Sequence, residues 1–241
     1  MLIDLHAHSA GISTCCLIPY NEVIDTAIEH GIDGAVLTNH YSRKFMKECS
    51  PEEFAKRYIE EYRAAKEYAD SVGFKLFFGV EVTMKLHKNA HVLLYGIDED
   101  FVLTHPTMHM YTHSELYRLV KEAGGAFVQA HPLRKEDKLL DVSMLDGIEL
   151  SCHPLYEGTR ADVLLDIAKE AGIILTCGGD YHADTYRPHC GIYLDEGIKD
   201  EKALSDFLCT TDRVTLCIHE VGTETPYDLT YERKAQQKRT V

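Results

Sequence analysis

The chain has 241 residues, enough to bury the core of one barrel-sized domain or two small ones, and no Pro/Gly/Ser-rich linker or compositional break divides it. Asp and Glu number 39 against 25 Lys and Arg, a formal net charge of -14, which argues against a protein that coats nucleic acid through phosphate contacts. The first residues lack the basic start and apolar run of an export signal, and no apolar stretch approaches the roughly 20 residues of a membrane span, so a soluble cytoplasmic protein with reduced cysteines is expected.

The first predicted element is a strand through Asp4, Leu5, His6, Ala7 and His8. Alternate residues of a strand share a face, so His6 and His8 can converge on one ion. Residues 9–16 read as a loop. Pro19 then opens a helix with Val23, Ile24, Ala27 and Ile28 on one stripe, and Gly31 closes it. A short apolar run from Asp33 finishes on His40. Ser50, Pro51 and Glu53 combine an N-cap, a proline at the first helical position and a capping-box glutamate. They predict a long helix with Phe54, Tyr58, Tyr62, Ala65, Ala69 and Val72 inward, ending at Gly73. The apolar strand at 74–80 ends at Glu81, and after a polar turn at 85–89 His91 begins another. Thr112 and Glu115 form a second capping box, leading through Leu116, Leu119 and Val120 to Gly124. The strand at 126–130 delivers His131 and Pro132. The strand at 147–151 delivers Cys152 and His153. A helix with Leu164, Ile167, Ala168 and Ala171 on one face ends at Gly172, and the strand at 173–177 runs through Gly178 and Gly179 into Asp180, Tyr181 and His182. A last helix at 201–209 and a strand at 214–218 complete a single domain over 1–230, followed by a charged, mobile tail at 231–241.

At Gly31, Gly73, Gly124 and Gly172 a helix closes, an apolar strand follows, and a His, Glu or Asp stands where that strand ends. Alternating helices and doubly buried strands imply a parallel sheet, in which functional groups gather at the carboxyl ends of the strands. The candidate ligands so placed are His6, His8, His40, Glu81, His91, His131, Asp180 and His182. Six imidazoles and two carboxylates exceed the needs of one four-coordinate ion and predict two or three ions bridged by carboxylate. Mixed nitrogen and oxygen donors favour Zn, Mn or Fe over Mg or Ca. His30, His87, His105, His109, His113 and His219 lack this placement and are expected to be solvated.

The motifs around His6 and His8, Leu-Thr-Asn-His40, Gly-Val-Glu81, His91-Val-Leu-Leu-Tyr-Gly, Ala-His131-Pro and Gly-Gly-Asp180-Tyr-His182 resemble, in order, those of the PHP (polymerase and histidinol phosphatase) family over about residues 2–195. The resemblance implies a distorted (β/α)7 TIM-like barrel, with a trinuclear metal site that hydrolyses phosphate esters and the eight residues above as ligands. Two positions depart from the pattern. The family's Ser-Asp-Gly loop after the first histidine pair, whose Asp is a ligand, is replaced by a loop in which either Thr14 or Cys15 takes that place or the third ion is weakly bound, and the Asp before the next histidine is Asn39. The expected activity is hydrolysis of a small phosphomonoester by water that the ions activate. Asp180, His182 or His131 would assist proton transfer, Arg134 and Arg187 would clamp the phosphate, and His153 would line the same pocket. The alternatives are a nuclease-like module acting on DNA ends, which the acidic charge disfavours, and a catalytically weak metal-binding domain. An amidohydrolase-type reaction is disfavoured because no lysine stands at a strand end.

Overall fold

Strand β1 (Leu2–Ala7) is buried along its whole length, Asp4 and His6 included. In the computed structural model, which describes residues 1–87, 90–134, 138–156, 158–182 and 187–233, the sheet is laid out on both sides of it. One side runs through β2 (Gly34–Leu37), β4 (Lys75–Met84), β5 (Ala90–Tyr95), β6 (Ala126–Gln129), β7 (Gly147–Ser151) and β8 (Ile174–Gly178), with the two-residue β3 (His40–Tyr41) paired to β4. A parallel bridge between Ala7 and Tyr181 returns the exit of β8 to β1, so the described strands form a nearly closed barrel. On the other side, β9 (Gly191–Tyr193), β10 (Arg213–Ile218) and β11 (Tyr227–Glu232) extend the sheet past β1 as an antiparallel flap.

The helices form for the reasons legible in their ends. Helix α1 is Tyr20–Glu29 and buries Val23, Ile24 and Ala27, whereas Ile28 is exposed. After the short α2 (Arg43–Met46), α3 (Pro51–Val72) starts on the expected capping box: Ser50 Oγ accepts from Glu53 N–H at 3.2 Å and Glu53 Oε2 accepts from Ser50 N–H at 2.8 Å. It stops at Gly73, whose φ of 74° lies in the left-handed region that costs other residues strain. Its inner face carries Phe54, Tyr58, Tyr62, Ala65 and Ala69, and the Tyr58 hydroxyl reaches the carbonyls of Asn39 and Gly79, tying the helix to the exit of β2 and the middle of β4. Helices α4 (Glu99–Thr104), α5 (His113–Glu122), α6 (Ala161–Ala171) and α7 (Glu201–Thr210) follow, α5 opening on its own capping box from Thr112 and Glu115.

The structure corrects three expectations. The sheet is not wholly parallel, because β5 runs antiparallel to both β4 and β6. The connection at 85–89 is too short for a crossover, which takes a dozen residues or more, so β4 and β5 form a hairpin. That reversal positions the site: His91, near the start of β5, pairs with Thr83 and so lies at the same end as Glu81. The boundary at 230 falls inside β11, where Tyr231 is fully buried and donates to the Ile173 carbonyl at 2.6 Å; residues 234–241 of the expected tail lie outside the described residues. His109, His113 and His219 are buried rather than solvated, His113 hydrogen-bonding the Met144 carbonyl through Nε2 and His219 accepting from His189 N–H. Among the described residues no helix is long and apolar enough to cross a membrane.

Candidate metal centre

All eight ligands expected from the sequence converge at one end of the barrel. Glu81 stands at their middle, fully buried, and its two oxygens face different histidines. Oε1 lies 2.7 Å from His91 Nδ1, 3.2 Å from His131 Nε2 and 3.5 Å from His6 Nε2. Oε2 contacts His40 Nδ1 and lies 3.5 Å from His8 Nε2. Asp180 faces the cluster from β8's exit, its Oδ1 3.0 Å from His8 Nε2 and 3.4 Å from His6 Nε2. His182 completes the ring, with Nε2 at 3.3 Å from His40 Nε2.

The surroundings aim these groups. His6 Nδ1 is held by Glu149 at 2.9 Å, and His8 Nδ1 by Ser13 Oγ at 3.2 Å. Ser13 in turn donates to Asn39 Oδ1, so the residue that replaces the family's Asp still anchors the loop. His182 Nδ1 bonds the Asp180 carbonyl. In each case one ring nitrogen is committed to the scaffold and the other, Nε2, is turned into the cluster, the usual arrangement of metal-binding imidazoles. Asp4 ties the barrel seam, accepting from His6 N–H and Gly179 N–H through Oδ1 and from Arg187 through Oδ2. Gly178 is required by closeness: a Cβ there would stand 2.5 Å from His6 Cβ and 2.7 Å from Glu149 Oε1. His131 and Asp180 both hold positive φ, 29° and 47°, strain of the kind that persists at functional sites because the surroundings enforce it.

Burial disfavours charge at every one of these groups, and the clustering decides where it is overcome. Burial and the neighbouring His182 and His40 hold His8 well below the ordinary imidazole range, and burial brings His131 down to about 4, so both are neutral donors. Against burial, Glu149, Asp180 and Glu81 hold His6 protonated well above its ordinary range, and Glu81 with Cys15 raises His40 to about 9. The carboxylates of Glu81 and Asp180 stay well below their usual range, also against burial, because histidines surround them. His6 Nε2 is buried without a hydrogen-bond partner among the described residues, and a bound ion would satisfy it. The donor set therefore fits metal ions, with His6, His8 and Glu81 in one group, His40, Glu81 and His91 in a second, and His8, His40 and His182 in a third.

The remaining candidates divide. Cys15 lines the cavities at the mouth of the cluster beside His40 and His182; burial raises its pKa, but those two histidines bring it down to about 6. Thr14 is exposed. His153 lies beside Asp180 and His182 and stacks on Tyr156 with ring centres 4.4 Å apart. Arg134 lies over the Tyr156 ring at 4.8 Å, at the rim of a cavity of about 330 Å³ shared with His131, His153, Asp180 and His182. Arg187 is a correction: its side chain is fully buried, paired with Asp4 at 2.8 Å and stacked on Tyr181, so it holds the barrel seam and does not face a ligand. Groups not anticipated from sequence are Glu149, whose carboxyl burial pushes up to about 7, and Tyr156, which donates to Asp180 Oδ2. A glutamate inside the apolar run of β7 was a usable signal for the first. Tyr156 carried none.

A model of the PHP domain matches residues 4–165. The chain belongs to the PHP domain family. Among curated proteins none matches. Among solved structures, a two-domain protein from Bacteroides vulgatus containing a predicted PHP-like metal-dependent phosphoesterase aligns over 99% of this chain and 88% of its own, with TM-score 0.65 and 12% identity. A candidate metal-dependent phosphoesterase from Bifidobacterium adolescentis aligns over 86% and 95%, with TM-score 0.54 and 18% identity. An amidohydrolase from Chromobacterium violaceum with bound sulfate aligns over 77% and 89%, with TM-score 0.50 and 19% identity. These likenesses show a shared fold, and the PHP barrel of this chain follows it with the hairpin and flap described above.

Proposed function

We propose that this PHP protein is a metal-dependent phosphomonoesterase acting on a small phosphorylated metabolite in the cytoplasm. The observation that carries the reading is Glu81, whose Oε1 faces His6, His91 and His131 while Oε2 faces His8 and His40, so that one carboxylate belongs to two donor groups and would be shared between ions. His6, His8, His40, Glu81, His91, His131, Asp180 and His182 would hold two or three ions of Zn, Mn or Fe, with Cys15 at the position of the family's loop aspartate. When bound, such ions supply Lewis acidity toward phosphoryl oxygens and lower the pKa of water.

The chain's own residues do the rest. Despite the overall charge of -14, the mouth is locally cationic: Arg43, Lys44 and Lys85 line a cavity of about 470 Å³ that His40, His91 and Cys15 border, and Arg134 stands at the neighbouring one. Arg134 can bind phosphate oxygens in bidentate fashion, and its stacking on Tyr156 limits the orientations open to it. Tyr156 donates to Asp180 and holds that carboxylate toward His8. Asp180, which borders the cavity with His131, His153 and His182, would accept or return a proton at the reacting oxygen. Long polyanions meet a negative exterior, while a compact phosphate meets the cationic rim.

Phosphate release from a panel of small phosphomonoesters, run beside labelled single-stranded DNA and simple amides with Mn, Zn or chelator, tests this reading. Chelator-sensitive turnover highest on a phosphomonoester is the expected result. Faster cleavage of DNA or of an amide than of every phosphomonoester contradicts it.

A further inference from the structure

Three cysteines that the metal centre does not use converge elsewhere in the barrel wall. Cys152 follows β7, Cys177 lies in β8, and Cys190 immediately precedes β9. Their sulfurs all lie within 4.8 Å of one another, with Cys152 and Cys177 at 3.6 Å, and none of the three is more than 1% exposed. Isolated buried cysteines behave as small apolar residues, but three that meet from separate elements with mutual sulfur contacts form a donor set. At bond lengths of about 2.3 Å, three sulfurs around one ion stand about 4.0 Å apart, close to the spacing already present. The Cys152 sulfur lies in hydrogen-bond contact with the Cys177 sulfur and accepts from the His219 backbone N–H, contacts that favour its thiolate form.

We propose that Cys152, Cys177 and Cys190 form a second, sulfur-only metal site that takes a thiophilic d10 ion, Cu(I) by preference. Soft thiolates select such ions, and zinc sites are mostly four-coordinate, whereas the described residues bring no fourth His, Cys or carboxylate into this group. Binding forms three metal–sulfur bonds and releases the thiol protons, with no change of oxidation state. Cys177 gives up its hydrogen bond to the Cys217 carbonyl in doing so. The site joins the exits of β7 and β8 to the entry of β9, the segment that carries His153 and Asp180 on one side and pairs with β1 on the other.

The test uses the full chain with Cys15→Ser, so that the thiol at the histidine cluster contributes nothing, kept reduced and anaerobic. Cu(I) is supplied as a coloured chelate, and its transfer is followed by the loss of colour. Uptake of one equivalent, weakened about tenfold or more by adding Cys177→Ser and unchanged by adding Cys209→Ser, is expected. X-ray absorption at the copper edge on the Cys15→Ser chain gives a second reading that needs no further variant: a shell of three sulfurs supports the site. A nitrogen and oxygen shell, an absence of uptake, or a Cys152–Cys177 disulfide in freshly purified protein overturns it. None of these outcomes bears on phosphatase turnover, so the two readings fail separately.

Discussion

Replacing Glu149 by Gln isolates the contribution of a residue outside the proposed ligand set that aims His6. Glu149 is fully buried; Oε1 lies 2.9 Å from His6 Nδ1, and Oε2 accepts from His131 N–H at 3.0 Å. Glutamine keeps the shape but has one acceptor oxygen, so its amide group must face one of these two donors. A buried donor left unsatisfied costs about 1–3 kcal/mol. Loss of a carboxylate behind a metal-binding histidine typically weakens metal affinity about 10- to 100-fold, equivalent to about 1.4–2.8 kcal/mol, and the two ranges agree. Because burial pushes the Glu149 carboxyl up to about 7, with His6 pulling the other way, its anionic form is available above that pH and lost below it. The deficit of Glu149→Gln should therefore grow from pH 6 to pH 8. Chelator competition at both pH values, with circular dichroism to verify the fold, measures it. A metal affinity within about twofold of wild type at both pH values, a difference of roughly 0.4 kcal/mol, would refute the reasoning.

Asp180→Asn should lower turnover about 10²- to 10⁴-fold with unchanged circular dichroism, since the amide supplies neither the anion nor the base; near wild-type kcat would sink its assigned role. Arg134→Ala should raise KM more than it lowers kcat, as expected for uniform phosphate binding. Arg187→Ala, by contrast, strands the buried Asp4 carboxylate and should destabilise by roughly 3–5 kcal/mol, read as a lower urea midpoint; an unchanged midpoint with a raised KM would return Arg187 to the substrate. Cys15, held at about 6, should be alkylated by iodoacetamide at a rate that levels off above pH 7 instead of climbing toward 9, and bound Mn or Zn should protect it; labelling indifferent to metal would remove it from the ligand set.

The convergence of the eight candidate residues was legible because chemistry and topology repeat: most stand where an apolar run begins or stops, and barrels collect such ends at one mouth. His91 was found by that placement even though its strand runs the other way, since the start of an antiparallel strand shares a mouth with the ends of its neighbours. The hairpin itself was readable in the five-residue connection after Met84, which leaves no room for a helix. Arg187 misled because its partner Asp4 is 183 positions away, and a distant carboxylate that captures a guanidinium leaves no local trace. The choice between Thr14 and Cys15 depends on how the loop turns, which Ser13 and Asn39 decide by hydrogen bonds. Strand β11 was missed although Tyr227, Leu229 and Tyr231 alternate with polar residues, because only Tyr231 is buried and the pattern reads as a charged tail.

Anomalous difference maps at the Mn, Fe and Zn absorption edges, from crystals grown without chelator, test the central claim most directly. The account predicts two or three peaks at about 2.0–2.2 Å from imidazole nitrogens, with Glu81 bonded to two of them through its separate oxygens. A single peak with Glu81 unshared, or no peak among the eight ligands after soaking in these metals, would contradict it.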